Sequence, residues 1–218
     1  MPGVAPKPWQ MAFVLFAMFS VVGVTLPRRA HAQVGPQAIK GCTKITQPGS
    51  YLVVNNITAT YASLIPTSWG EPGCLVIAAD FVTLDLGGFT IFGPAKYGAG
   101  VIAEKSVATP GPANAYRGIT VHSGVVTNFT IGVGLDSPFT AGGYVVEHVR
   151  AIDNGADGIN VFSVGSRIVG NVSTNNGGNG FYILCPSVVL ENVASGNTYG
   201  QIVEAGAACT RAENSPAP

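Results

Sequence analysis

One short phrase recurs four times between Gly118 and Glu204, and it limits what this chain can fold into. Asn128-Phe-Thr-Ile-Gly132-Val133, Asn154-Gly-Ala-Asp-Gly158-Ile159 and Asn176-Gly-Gly-Asn-Gly180-Phe181 share the pattern Asn-x-x-x-Gly-apolar. Asn197-Thr-Tyr-Gly200-Gln-Ile202 is the same pattern shortened by one position. Gly132, Gly158, Gly180 and Gly200 therefore recur at nearly even spacing. A period of about 22 residues, built only from short β-branched runs and Gly/Asn turns, is the mark of a β-solenoid.

Each repeat divides into three short strands. First strands are Val82–Leu86, Gly118–His122, Gly143–Glu147, Arg167–Gly170 and Val188–Glu191. Second strands are Phe89–Ile91, Gly124–Val126, Val149–Ala151, Val172–Thr174 and Val193–Ser195. The Asn turn follows, and third strands open at Gly100, Gly132, Gly158, Gly180 and Gly200. Three strands per coil predict an all-β, three-sided prism of about six coils with parallel sheets, its coils stacked about 4.8 Å apart. The repeats cover 80–205. Residues 33–79 read as an N-terminal cap and first irregular coil, and 206–218 as a C-terminal cap with a disordered tail. A β-sandwich also has many short strands, but it predicts hairpin turns and simple alternation rather than a periodic Asn and Gly.

A lone coil cannot bury its apolar side, so inward positions need Val, Ile, Leu or small residues that stack on their counterparts. The turn asparagines Asn128, Asn154, Asn176 and Asn197 are expected to align into a ladder sharing amide hydrogen bonds. Glycine at the strand entrance would permit backbone angles denied to other residues. Two insertions, Glu104 to Tyr116 and Asp136 to Gly142, are expected to leave from one corner.

Residues 1–32 read as a secretory signal. Met11 to Leu26 is an uncharged run, shorter than the roughly 20 residues that a membrane span needs. Ala30-His31-Ala32 fits a small-x-small cleavage site. Arg28-Arg29 follow the apolar run, which is atypical, so an uncleaved anchor is the competing reading. Removal of the segment would leave 8 basic residues against 11 acidic ones, which argues against a nucleic-acid backbone as partner. The expected location is secreted or periplasmic, with no stable membrane span after cleavage.

Cys42, Cys74, Cys185 and Cys209 all follow this segment. An even count in an exported chain predicts two disulfides. Of the three possible pairings, Cys42–Cys74 with Cys185–Cys209 is preferred, because each pair brackets one end of the repeats. Free buried thiols are the alternative. No CxxC spacing supports a zinc or redox motif.

The phrase Val82-Thr-Leu-Asp-Leu-Gly-Gly-Phe-Thr-Ile91 and the Gly170-Asn-Val172, Asn176, Gly180-Phe181 cycle resemble the right-handed parallel β-helix proteins of the pectin-lyase-like superfamily. The resemblance is to its small exported bacterial members and spans residues 40 to 205. It implies a right-handed three-sheet β-helix and says little about activity, since that fold carries lyases, hydrolases, esterases, epimerases and adhesins. The motifs of its enzymes are missing. Arg167-Ile168 is followed by Val169, no Asp-Asp pair occurs, and Asp85 is the one aspartate on the first strands.

Chemistry on the repeats centres on the first strands. Aligned on the valine that follows them, one column reads Gly87, His122, Glu147, Gly170, Glu191, beside an always apolar column. Alternation turns it outward. A carboxylate beside an imidazole suits general acid–base work, and paired carboxylates suit glycoside hydrolysis. His122, Glu147 and Glu191 are therefore candidate catalytic residues. Asp85, Thr120, His122 and Glu147 are candidate ligand contacts. His148 follows Glu147, but adjacent strand residues point to opposite faces, so no metal site is expected. No cofactor is expected either. The leading expectation is a non-catalytic carbohydrate-binding or surface module whose partner is an extracellular or cell-envelope polysaccharide. The competing one is a small polysaccharide lyase or glycoside hydrolase acting on a uronic-acid polymer.

Overall fold

The structure is a computed structural model and describes residue 3 and residues 35–68, 70–104, 115–136 and 142–216. Val34–Pro218 forms one compact unit. All of the proposed signal segment but residue 3, and most of both expected insertions, lie outside the described residues.

The chain is all-β, and its named strands pair in parallel. Three strand columns recur. The first contains Gln37–Ile39, Gly49–Val53, Val82–Asp85, the leading halves of Thr120–Thr127 and Val145–Ile152, then Arg167–Val169, Val188–Leu190 and Thr210–Ala212. The second contains Ile57–Thr58, Thr90–Phe92, the trailing halves of the same two long strands, Val172–Thr174, Val193–Ser195 and Ser215–Pro216. The third contains Thr43–Ile45, Gly73–Ile77, Ala99–Ala103, Ile131–Asp136, Ile159–Phe162, Phe181–Cys185 and Ile202–Gly206. The expected first and second strands merge into single long strands at Thr120–Thr127 and Val145–Ile152.

Regular pairing extends beyond 80–205 at both ends. Gly49–Val53 already pairs with Val82–Asp85, and Gly73–Ile77 with Ala99–Ala103. Thr210–Ala212 pairs with Val188–Leu190, within the stretch that the sequence reads as a C-terminal cap with a disordered tail. The Asn-x-x-x-Gly phrase is absent from both ends, so the repeat is hidden there although the backbone keeps its register.

The core is a set of inward stacks. In the first column Leu84, Val121, Val146, Ile168 and Val189 lie in register and are fully buried. In the second, Ile91, Val126, Ala151, Ser173 and Ala194 follow one another. In the third, Val133, Ile159 and Phe181 do the same. A stack of like apolar groups along parallel strands buries every member against two neighbours. Two disulfides, Cys42–Cys74 and Cys185–Cys209, join strands or turns near the two ends of the pairing.

The turns use a device repeated at two corners. Between second and third columns, Asn128, Asp153, Asn175 and Gly196 take positive φ. The next residue then turns inward: Phe129, Asn154, Asn176 and Asn197, all buried. Asn154 Oδ1 accepts from Phe129 N at 3.1 Å, Asn176 Oδ1 from Asn154 N at 3.0 Å, and Asn197 Oδ1 from Asn176 N at 3.0 Å. Asn128 is not in this stack. It stands one residue earlier, and its amide donates to Gly93 O at 2.7 Å. Phe129 holds the inward place, because asparagine also suits the left-handed corner that Asn128 fills.

The recurrent glycines have a different reason from the expected one. Gly132, Gly158 and Gly180 do not take positive φ. A Cβ there would lie 2.9, 2.5 and 2.5 Å from Nδ2 of Asn154, Asn176 and Asn197 respectively. Glycine makes room for the ladder of the next pass, and that close approach explains the Asn-and-Gly phrase.

A second ladder runs along the first corner. Val149 N donates to Asn171 Oδ1, Asn171 N to Asn192 Oδ1 and Asn192 N to Asn214 Oδ1. Ser123, His148, Gly170, Glu191 and Glu213 supply the positive-φ residue before each inward position.

Candidate functional site

Alternation along the first column sends every second side chain outward. Asp85, His122 and Glu147 are in register on three successive strands. Thr120 stands two residues before His122 on the same face, paired with Thr83 and Val145. The structure therefore gathers Asp85, Thr120, His122 and Glu147 on one half-exposed surface.

The charged groups of that surface are engaged. Asp85 Oδ1 accepts from Gly87 N at 2.8 Å and lies 3.6 Å from His122 Nδ1. His122 Nδ1 also meets Ser123 Oγ at 2.9 Å. Arg167 donates from a guanidinium nitrogen to Glu147 Oε2 at 2.8 Å. Arg167 and Ser123 are not among the sequence candidates. Arg167 is legible in principle, since it opens the strand after Glu147 and a two-residue diagonal is within reach of a long side chain.

Glu191 does not join this surface. It sits at the exposed first corner with φ +56°, level with Gly170 and His148, while Glu147 is in register with Val169 and then Leu190. The sequence alignment slips by one residue here. It equates Val172 and Val193 with Val149, yet Val149 is buried and occupies the inward place held by Asn171 and Asn192. Val193 points outward and is 41% exposed. Gly170 leaves the outward column for the same reason, and Gly87 leaves it because Asp85, two residues earlier, is in register with His122. His148 is exposed at the corner, with its ring against Gly170.

Asp85 and Glu147 stand two strand spacings apart, roughly 9–10 Å, and His122 occupies the strand between them. An inverting hydrolase needs a water in that gap. An imidazole fills it instead. The face presents hydroxyl, imidazole, carboxylate and guanidinium groups in a row, which suits hydrogen bonding to a polar chain laid across the strands.

Among the described residues, one group of metal-ligand types lies close together, Cys185, Glu204 and Cys209. Both sulfurs are joined in a disulfide and Glu204 is paired with Arg211, so these atoms are already engaged. No helix among the described residues is long and apolar enough to cross a membrane. Comparison with protein-family models, with curated proteins and with solved structures finds no match to this chain.

Proposed function

We propose that this chain is an exported right-handed parallel β-helix of the pectin-lyase-like kind, working as a non-catalytic carbohydrate-binding or surface module. Parallel columns with a period of about 22 residues support the architecture. Two disulfides support an oxidising compartment, secreted or periplasmic. The observation that carries the non-catalytic reading is the engagement of the first-column carboxylates. Asp85 is held by Gly87 N and flanked by His122, and Glu147 is held by Arg167. A general acid and a general base would instead face a shared gap. Thr120, His122 and the Glu147–Arg167 pair then offer hydrogen bonds to an extracellular or cell-envelope polysaccharide.

The test is a panel of polygalacturonate, alginate and neutral polysaccharides offered to purified protein. Binding without new double-bond absorbance or reducing ends is expected. Turnover of any uronic-acid polymer, abolished by Glu147→Gln, would replace this reading with an enzyme.

A further inference from the structure

The outward side of the third column carries its own small apolar cluster, distinct from the core. Val76, Ala99 and Ile102 are buried there, with Ile65 and Ile131 packed against them. Along the strands the outward row runs Val76, Ile102, Gly134, Asn160, Tyr182, Val203. Gly134 is the gap in that row. Its backbone does not need glycine, and a Cβ there would meet only Ile131 at 3.5 Å and Ile102 at 4.0 Å.

A cavity of about 150 Å³ opens at the gap, lined by Glu71, Ile102, Ile131, Gly134, Asp136 and Asn160. A volume of about 150 Å³ admits one six-membered ring. The floor is aliphatic, and two carboxylates and an amide stand at the wall, with no cationic side chain among the lining residues. Glu71 Oε1 is shielded from solvent and has no hydrogen-bond partner among the described residues. Such an oxygen favours a donor, and a charged donor most. On the strands beyond, Phe162 and Tyr182 stack with ring centres 6.1 Å apart and planes 13° from parallel. Phe162 is in register with Asp136 and Tyr182 with Asn160, so the aromatic pair borders the cavity.

We propose that this cavity is a binding site for an amino sugar with a free, protonated amine, borne on a short glycan. The pyranose ring packs its C–H face on Ile102, Ile131 and Gly134. The ammonium donates to Glu71 and is drawn to Asp136. The adjoining sugar lies over Phe162 and Tyr182, whose rings suit both C–H faces and cations. The same charges repel a uronic acid. This site is separate from the first-column face and does not depend on it.

The test uses the chain with both disulfides formed, and isothermal titration with three probes: a glucosamine trimer, its fully N-acetylated counterpart and a galacturonate trimer. At the cavity, read as the binding that Gly134→Leu removes, the glucosamine trimer is expected to bind at least about tenfold more tightly than either other probe. That preference should fall as salt is raised, since it is a charge effect. Glu71→Gln keeps the shape and should remove the preference. Gly134→Leu fills the cavity from an outward position and should abolish binding while the unfolding midpoint holds. Glu213→Gln, an exposed carboxylate remote in sequence from the cavity, should bind like wild type. Equal binding of the acetylated trimer, tighter binding of galacturonate that Gly134→Leu abolishes, no binding of the glucosamine trimer, or unchanged binding of the glucosamine trimer in Gly134→Leu would each overturn the assignment.

Discussion

Gly158 lies against Asn176 so closely that a Cβ on it would stand 2.5 Å from Asn176 Nδ2 and 2.0 Å from Ser173 Oγ. Both neighbours are buried and hydrogen-bonded, so neither can withdraw without losing a partner. Gly158→Ala should therefore destabilise by about 1–3 kcal/mol through overpacking. Gly134→Ala places its Cβ at ordinary contact distance and should leave stability within about 0.5 kcal/mol. Urea midpoints of the two variants check the contrast, and equal midpoints would remove the close-approach account of the repeat glycines.

Asn176 is the middle rung of its ladder. Its amide donates to Asn197 Oδ1 at 2.9 Å, and its Oδ1 accepts from both the backbone and side chain of Asn154 at 3.0 Å. Asn176→Val would leave those buried groups unpaired and should cost about 1–3 kcal/mol. Asn128→Gly loses one bond to Gly93 O but relieves a left-handed corner, so its effect should be much smaller. Thermal unfolding of both variants tests whether the inward place belongs to Phe129 rather than Asn128. A loss at Asn128 as large as that at Asn176 would count against this placement.

The disulfides close loops with sequence separations of 32 and 24. Replacing both cysteines of either pair by serine should lower stability by on the order of 2–4 kcal/mol, by the loop-entropy account. A non-reducing peptide map should return Cys42 with Cys74 and Cys185 with Cys209. Alkylation of four thiols in the native exported protein would contradict the pairing.

The columns are legible because buried β-branched residues repeat at fixed spacing and the turns repeat Asn and Gly. The limits of that reading are local. Phe129 takes an amide's place in the ladder, so the sequence points to its neighbour Asn128. Val149 and Asn171 fill equivalent inward corners with unlike chemistry, which hides the second ladder and shifts the outward column by one residue. A one-residue slip in a strand moves side chains to the other face. His122 and Glu147 keep their places because they lie before the corner on two long strands paired directly with each other, and Asp85 joins them where Gly87 is expected. Glu191 does not. The third-column cavity has no motif at all, since Glu71, Ile102 and Asn160 come from three different passes of the chain and only Ile131, Gly134 and Asp136 share a strand.

The Glu147–Arg167 pair is half-exposed on one side and more open on the other. Exposed pairs couple weakly, so Glu147→Gln and Arg167→Gln, alone or together, should change stability by less than about 1 kcal/mol. Their effect should fall on ligand binding at the first-column face. A double-mutant cycle measured by denaturation and by polysaccharide binding separates the two roles. A large loss of stability with binding intact would make the pair structural.

Glu191 provides the sharpest separation of architecture from function. It holds φ +56°, is exposed, and its side chain makes no hydrogen bond or ion pair among the described residues. In the preceding pass the same corner is Gly170, at φ +65°. A left-handed residue with a Cβ costs roughly 1–2 kcal/mol, while glycine restores freedom to the unfolded chain worth about 0.5–1 kcal/mol. Glu191→Gly should therefore be neutral or stabilising by up to about 1 kcal/mol. It should also leave binding to any polysaccharide unchanged, because the residue lies off the face that carries Asp85, His122 and Glu147. Measured stabilisation with unaltered binding assigns Glu191 to the corner alone. A loss of binding in a stable Glu191→Gly variant would bring it back into the site and extend the binding face around the first corner.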